Sequence, residues 1–132
     1  MILVDTSVLI DYFKGVSNPG IAKFNTVLEQ NIPWGINTFI YQEILQGTSS
    51  EKEFILLKEY LDTQTFYELQ GGRESFANAA RNYYRCRRNG ITVSSTIDFL
   101  IVQTALENDL ALLQNDRDYL RINKIISELN IY

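Results

Sequence analysis

The chain of 132 residues contains no histidine and only one cysteine, Cys86. Every mechanism that needs an imidazole base is therefore excluded, which removes Ser-His-Asp catalysis, Cys-His catalysis and the histidine-based nucleases. A zinc site built on histidine or on several cysteines is excluded too, and so is an internal disulfide. Metal-free general acid–base catalysis is left with few candidate residues.

Long apolar runs are also missing, and their absence excludes a transmembrane helix. Met1 leads directly into a short apolar run, with no basic start or cleavage-site pattern, so we expect no signal peptide. With 45% hydrophobic and 21% charged residues, the composition is that of an ordinary globular protein. A length of 132 residues suffices for one core. We therefore expect residues 1–132 to form a single domain in the cytoplasm.

An excess of positive charge is missing as well. The chain has 12 basic and 16 acidic residues, and its net charge is −4. Proteins that bind nucleic acids usually offer a basic surface to the phosphates. Either the ligand is not a nucleic acid, or cations and a local basic patch bring one to the protein.

The sequence does contain an alternation of predicted strands and helices. Short apolar runs predict strands at residues 2–4, 32–37, 65–69 and 111–113, with a weaker fifth at 125–126. Amphipathic stretches predict helices at residues 7–13, 21–30, 38–46, 50–61, 73–89 and 96–108. Thr38, Ser50 and either Ser95 or Thr96 are the expected N-caps. Strands separated by helices imply an α/β fold whose parallel sheet has right-handed crossovers.

Asp5 ends the first predicted strand, at the point where Thr6 and Ser7 begin a helix. Sites in open α/β sheets lie at the carboxyl ends of the strands, so this carboxylate is a candidate site residue. The alternative is that Asp5 only caps the helix that follows it.

Three further acids are expected near the same edge of the sheet. Glu43 lies on the helix after the second strand, Asp98 in the first turn of a helix, and Asp116 just after the fourth strand. Acids at helix starts often only complement the helix dipole, which accounts for Asp98 and Asp116 singly but not for Glu43. Converging carboxylates repel one another, and Mg²⁺ or Mn²⁺, with oxygen ligands, relieves the repulsion. The sequence therefore predicts a metal site that gathers Asp5, Glu43, Asp98 and Asp116.

Four stretches together carry a family pattern. They are Val4 to Asp11, Thr38 to Gly47, Ile97 to Ile101, and Leu112 to Tyr119. In this order and at these spacings they resemble the PIN-domain ribonucleases, and specifically the toxins of VapBC-type toxin–antitoxin pairs. The resemblance covers essentially the whole chain. It implies a Rossmann-like, three-layer α/β/α sandwich with a central parallel sheet of four to five strands.

The resemblance also implies roles for single residues. The acidic metal-binding set would be Asp5, Glu43, Asp98 and Asp116. Thr6 or Ser7 would supply a hydroxyl near the metal. The family further implies an RNA substrate, a homodimer and a cognate antitoxin that binds across the acidic groove.

Asp118 competes with Asp116 for the fourth acidic position. We prefer Asp116 because it is closer to the end of the predicted strand. In addition, Asp118 and Tyr119 resemble the family's structural pair of an aspartate and an aromatic residue.

Arginine is concentrated in one predicted helix, where Arg81, Arg85 and Arg88 share a stripe at spacings of four and three residues. A solvated helix face is the usual explanation of such a stripe. The alternative is that these residues guide RNA phosphates towards the acidic site.

The resulting hypothesis is a Mg²⁺- or Mn²⁺-dependent endoribonuclease. Asp5, Asp98 and Asp116 bind the metal, directly or through water, and Glu43 completes the cluster or orients the attacking water. In-line attack by that water should leave 5′-phosphate and 3′-hydroxyl ends.

Two alternatives remain open at this point. A phosphatase of the haloacid-dehalogenase kind also places an aspartate after strand one, but it usually carries a second aspartate where this chain has Ser7. The other alternative is a PIN-like module that only binds a partner, and the intact carboxylates argue against it.

Overall fold

Five short parallel strands form the sheet of the computed structural model, which describes residues 1–132. The strands are β1 (Ile2–Val4), β2 (Trp34–Ile36), β3 (Thr65–Phe66), β4 (Ala111–Leu113) and β5 (Asn130–Ile131). Their order in the sheet is β3-β2-β1-β4-β5, and every neighbouring pair is parallel. β1 is central, and all three of its residues are buried, as expected of a strand that is covered on both faces.

Seven helices connect these strands. They are α1 (Thr6–Lys14), α2 (Pro19–Glu29), α3 (Thr38–Gln46), α4 (Glu51–Asp62), α5 (Arg73–Arg88), α6 (Ile97–Glu107) and α7 (Arg117–Ile125). Each parallel connection contains at least one helix, and one core of 27 buried apolar residues joins the helices to the sheet. The predicted α/β sandwich is therefore confirmed, with five strands. None of the helices combines the length and the apolar character that a bilayer crossing requires.

The chain changes direction within the sheet beside β1. It moves outward from β1 to β2 and β3, and then returns to place β4 on the other side of β1. In open α/β sheets, ligands bind at such a switch point, in the crevice at the carboxyl ends of the strands. The backbone N–H of Asp5 donates to the carbonyl of Leu113 at 2.9 Å, so the ends of β1 and β4 lie side by side. This places Asp5 and the residues after Leu113 in the same crevice.

The predicted fifth strand at residues 125–126 is wrong. Ile125 ends α7, a helix that the sequence pattern did not predict, and the fifth strand is Asn130–Ile131. The buried residues Tyr119, Ile122 and Ile126 recur at spacings of three and four. This is the spacing of one helix face, so the apolar residues continue a helical pattern and do not begin a strand.

Two helix starts also differ from the predicted caps. Asn37, rather than Thr38, caps α3, because its side-chain oxygen accepts from the backbone N–H of Ile40 at 2.9 Å. Thr96 does precede α6, but its side chain makes no capping hydrogen bond. The predicted cap of α4 by Ser50 is confirmed. The correction at α3 matters for the site, because that helix carries Glu43.

Candidate metal centre

Asp5 is buried, at 4% exposure, in the crevice that follows β1. Its Oδ2 atom accepts hydrogen bonds from the backbone N–H of Ser7 at 3.0 Å and from the Ser7 hydroxyl at 2.6 Å. Its Oδ1 atom accepts from the Tyr119 hydroxyl at 2.8 Å. Burial raises the pKa of Asp5, while the bonds from Ser7 and Tyr119 oppose that rise. Asp5 thus caps α1 and also presents a buried carboxylate held in one orientation.

Asp98, in the first turn of α6, meets Asp5 at the hydroxyl of Tyr119. That hydroxyl lies 3.3 Å from Asp98 Oδ1, so its one proton is shared between the two carboxylates. Burial, together with the negative charges of Asp5, Asp116 and Glu43, raises the pKa of Asp98 to about 7, although the hydrogen bond from Tyr119 opposes the rise. Burial and the charges of Asp5 and Asp98 raise the pKa of Tyr119 well above its ordinary value, so the hydroxyl keeps its proton.

Both candidates for the fourth acidic position lie next to Asp98. One carboxylate oxygen from each of Asp98, Asp116 and Asp118 lies within 4.8 Å of the other two. Asp116 caps α7, because its Oδ1 accepts from the backbone N–H of Asp118 at 2.9 Å. Asp118 forms an ion pair with Arg121 at 3.1 Å. Since Asp116 has no such partner and its charge raises the pKa of Asp98, it is the acid with more unbalanced charge.

Glu43 lies at the margin of this cluster. Its carboxylate is half-buried on α3, and its Oε1 atom accepts from the Thr6 hydroxyl at 2.9 Å. Burial raises the pKa of Glu43, the bond from Thr6 opposes the rise, and the charge of Asp5 adds to it. Thr6 therefore connects α1 to α3 and aims Glu43 towards the buried acids.

The Ser7 hydroxyl connects the site to the loop that follows β4. It donates to Asp5 and accepts from the backbone N–H of Asn115 at 2.9 Å. Because Asn115 immediately precedes Asp116, one hydroxyl sets the positions of two acidic segments. Ser7 thus acts on the carboxylates through hydrogen bonds, and Thr6 does the same for Glu43.

Tyr119 is the site residue whose role the sequence pattern did not predict. The sequence assigned it only as an aromatic partner of Asp118. The signal that could have identified it is its hydroxyl: a buried tyrosine needs a hydrogen-bond partner, and the nearest polar groups expected in this fold are the acids at the strand ends. In the structure Tyr119 is 1% exposed and contacts two of them.

The oxygens of Asp98, Asp116 and Asp118 lie close enough together to hold a divalent cation, and Asp5 is connected to Asp98 through the Tyr119 hydroxyl. The only ion pairs in the structure are Lys58–Asp62 and Arg121–Asp118, so Asp5, Asp98 and Asp116 have no cationic side chain beside them. Buried carboxylates without a counter-charge either hold protons or bind a cation, and the raised pKa of Asp98 reflects that strain. Carboxylate oxygens are the ligands that Mg²⁺ and Mn²⁺ prefer.

Comparisons with known proteins agree with the fold. A family model described as PIN domain matches residues 2–125. The structure also resembles a chain in the crystal structure of FitAcB from Neisseria gonorrhoeae, with a TM-score of 0.70 and 16% sequence identity. The match covers 100% of this chain and 96% of that chain. At this level of identity, the likeness between the two is one of fold.

Proposed function

The chain belongs to the PIN-domain family, and from that premise we propose that it is a Mg²⁺- or Mn²⁺-dependent endoribonuclease, with residues 1–132 as a single PIN domain. PIN domains are generally nucleases, and they typically use a divalent metal. One observation carries the proposal: the buried carboxylates of Asp5 and Asp98 meet at a shared hydroxyl, beside Asp116, without a cationic partner.

In this proposal Asp5, Asp98 and Asp116 hold the ion, and Asp118 stays paired with Arg121. When bound, a divalent ion supplies positive charge that lowers the pKa of water and stabilises the charge that develops on the phosphate. Ser7 fixes the orientation of the Asp5 carboxylate through two hydrogen bonds.

Glu43 orients the attacking water and accepts its proton. Its raised pKa brings it closer to neutral pH, which suits a group that takes up a proton and then releases it. In-line attack forms the bond from the water oxygen to phosphorus and breaks the bond from phosphorus to the 3′ oxygen, which takes up a proton from bulk water as it leaves. The products of this step carry 5′-phosphate and 3′-hydroxyl ends.

The test is to map the ends of RNA cleaved by the purified protein in Mg²⁺ or Mn²⁺. The wild type should give 5′-phosphate and 3′-hydroxyl ends, and Asp98→Asn should lose activity by at least about a hundredfold, since a charged ligand is removed. Asp109→Asn is the matched control, because Asp109 is exposed and its φ of 51° suits asparagine. Ends with 2′,3′-cyclic phosphate would contradict the mechanism. Hydrolysis of an aryl phosphate with RNA left intact would instead favour the phosphatase alternative.

We also propose that the protein is the toxin of a toxin–antitoxin pair and works as a homodimer. The resemblance to VapBC-type toxins supports this, and an acidic site suits an antitoxin with a basic or apolar segment. Induced expression should stop cell growth, and co-expression of the cognate antitoxin should restore it. Asp5→Asn should be harmless to the cell, and growth arrest by this variant would contradict cleavage as the toxic activity.

A further inference from the structure

The C-terminal end of α5 is the strongest concentration of positive charge in this acidic chain. From Arg81 to Ile97 the sequence has four arginines, a third of all basic residues, and no acidic residue. None of the four pairs with a carboxylate, since both ion pairs of the structure lie elsewhere. Their charge is therefore available to an anionic ligand.

Two tyrosines lie among these arginines. The guanidinium carbon of Arg87 is 5.7 Å from the ring centre of Tyr83 and 5.9 Å from that of Tyr84. The guanidinium carbon of Arg88 is 5.7 Å from the Tyr84 ring, and its Nη1 atom donates to the Tyr84 hydroxyl at 3.0 Å. Tyr84 is 47% exposed, which is high for an aromatic residue. We name Tyr83, Tyr84, Arg87 and Arg88 the arginine–tyrosine surface.

One residue of the arginine–tyrosine surface, Tyr83, contacts the helix that carries Asp98. The Tyr83 ring packs edge-on against Phe99, with centroids 5.2 Å apart, and Phe99 directly follows Asp98 on α6. An apolar cavity of about 320 Å³ lies beside this contact, lined in part by Phe76 and Leu100. The end of α5 that carries the surface therefore packs against the first turn of α6, the helix that carries Asp98.

Alternating cations and aromatic rings fit a single-stranded nucleic acid. Bases stack on exposed rings regardless of their sequence, and guanidinium groups bind the phosphates between them. A solvated helix face would explain arginines alone, but it does not explain an exposed tyrosine, Tyr84, that contacts two of them.

We propose that the arginine–tyrosine surface binds single-stranded RNA and delivers it to the acidic centre. Tyr84 stacks on a base, while Arg87 and Arg88 neutralise the neighbouring phosphates. Arg81 and Arg85 lie outside this group of contacts, and Arg85 Nη1 donates to Asn82 Oδ1 at 3.3 Å, so we expect both to contribute less. The inference rests on the proposed ribonuclease function for its ligand, but binding requires no cleavage.

The test measures binding of a short, fluorescein-labelled single-stranded RNA by anisotropy over a series of salt concentrations. All variants carry Asp98→Asn, so that the RNA stays intact. Arg87→Ala/Arg88→Ala should reduce the slope of log affinity against log salt by about 1.4, because each lost phosphate contact contributes about 0.7. Tyr84→Ala should weaken binding about fivefold to a hundredfold while leaving the slope nearly unchanged, since stacking is uncharged.

Lys14→Ala/Lys52→Ala is the matched control, because it also removes two exposed positive charges from other helices. If the arginine and lysine double variants have the same affinity and slope, the inference is wrong. Circular dichroism melts of all variants exclude unfolding as the cause of weaker binding. If the wild type binds RNA as predicted but cleaves none, the proposed function is wrong and the binding surface is supported. If the wild type cleaves RNA but the substitutions at Arg87 and Arg88 do not weaken binding, the proposed binding surface is wrong and the proposed function is supported.

Discussion

At the scale of the single residue, the carboxylates of the site accept hydrogen bonds from only a few donors. Asp5 accepts three hydrogen bonds, from two atoms of Ser7 and one of Tyr119. Asp98 accepts only one side-chain hydrogen bond, from the same Tyr119 hydroxyl at the longer distance of 3.3 Å. Asp5 is therefore oriented by the protein, while Asp98 is the acid whose charge is least satisfied, and its pKa of about 7 reflects this.

Tyr119→Phe removes only the shared hydroxyl. We expect the free energy of unfolding to fall by about 1–3 kcal/mol, because a buried carboxylate oxygen loses its donor. Tyr41→Phe is the matched control, since the Tyr41 hydroxyl donates to Asp62 at 2.7 Å on the surface and its loss should change the stability much less. Urea denaturation measures both. Equal losses in the two variants would show that the buried hydroxyl has no special role.

The stability of the metal-free protein should depend on pH through Asp98. Its pKa is about 7 in the folded protein against 3.8 as the reference value, so between these values the folded state holds a proton that the unfolded chain has released. The free energy of unfolding should therefore fall as pH rises from about 4 to about 7 and level off above, by less than the full value of about 4 kcal/mol because solvent partly screens the carboxylate. Thermal melts in EDTA, compared with Asp98→Asn, measure this. If Asp98→Asn keeps the full pH dependence of the wild type, Asp98 is not the group that causes it.

The positions of the acids could be predicted from the sequence, because each lies at a fixed distance from the end of an element. Asp5 and Asp116 follow buried strands, and Asp98 opens a helix. The hydrogen bonds between them could not be predicted. The contact from Tyr119 to Asp5 joins residues 114 positions apart, and no local pattern encodes that distance.

At the scale of the element, α3 is fixed to the rest of the fold through its buried N-cap. The Asn37 side chain accepts from Ile40 and donates to the Thr104 hydroxyl on α6 at 3.0 Å. One side chain therefore starts the helix that carries Glu43 and ties it to the helix that carries Asp98.

Asn37→Ala should cost more stability than a cap mutation on the surface. We expect a loss of about 2–4 kcal/mol, because a capping bond and a buried partner are lost together. Ser50→Ala, at the exposed start of α4, should cost about 1 kcal/mol. Chemical denaturation of the two variants compares them. A loss for Asn37→Ala that is no larger than the loss for Ser50→Ala would mean that the bond to Thr104 contributes nothing.

The sequence predicts a helix or strand reliably where a single pattern of residues is clear. β1 and α5 follow from an apolar run and from a long helix that ends before Gly90, whose φ is 77°. α7 was missed because the β-branched pair Ile125-Ile126 suggested a strand locally. Its helical spacing becomes clear only when Tyr119 and Ile122 are included.

At the scale of the whole molecule, the fold separates charge. The carboxylates gather at the switch point of the sheet, and the arginines gather on the neighbouring end of α5. Under the proposed function, the net charge of −4 would repel RNA, and a local basic surface together with a divalent cation would offset that repulsion. The α/β class followed from alternating patterns, whereas the strand order did not, because pairing between distant strands has no local signature.

Calorimetric titration of the protein with Mn²⁺ tests directly whether the buried carboxylates bind a divalent cation. The wild type and the Asp109→Asn control should bind the ion with the same affinity, and Asp98→Asn should bind at least about tenfold more weakly, since about 1.4 kcal/mol corresponds to a factor of ten. If Asp98→Asn binds Mn²⁺ as tightly as the wild type does, or if none of the three proteins binds it, the buried carboxylates are not a metal site and the proposed metal-dependent mechanism is wrong.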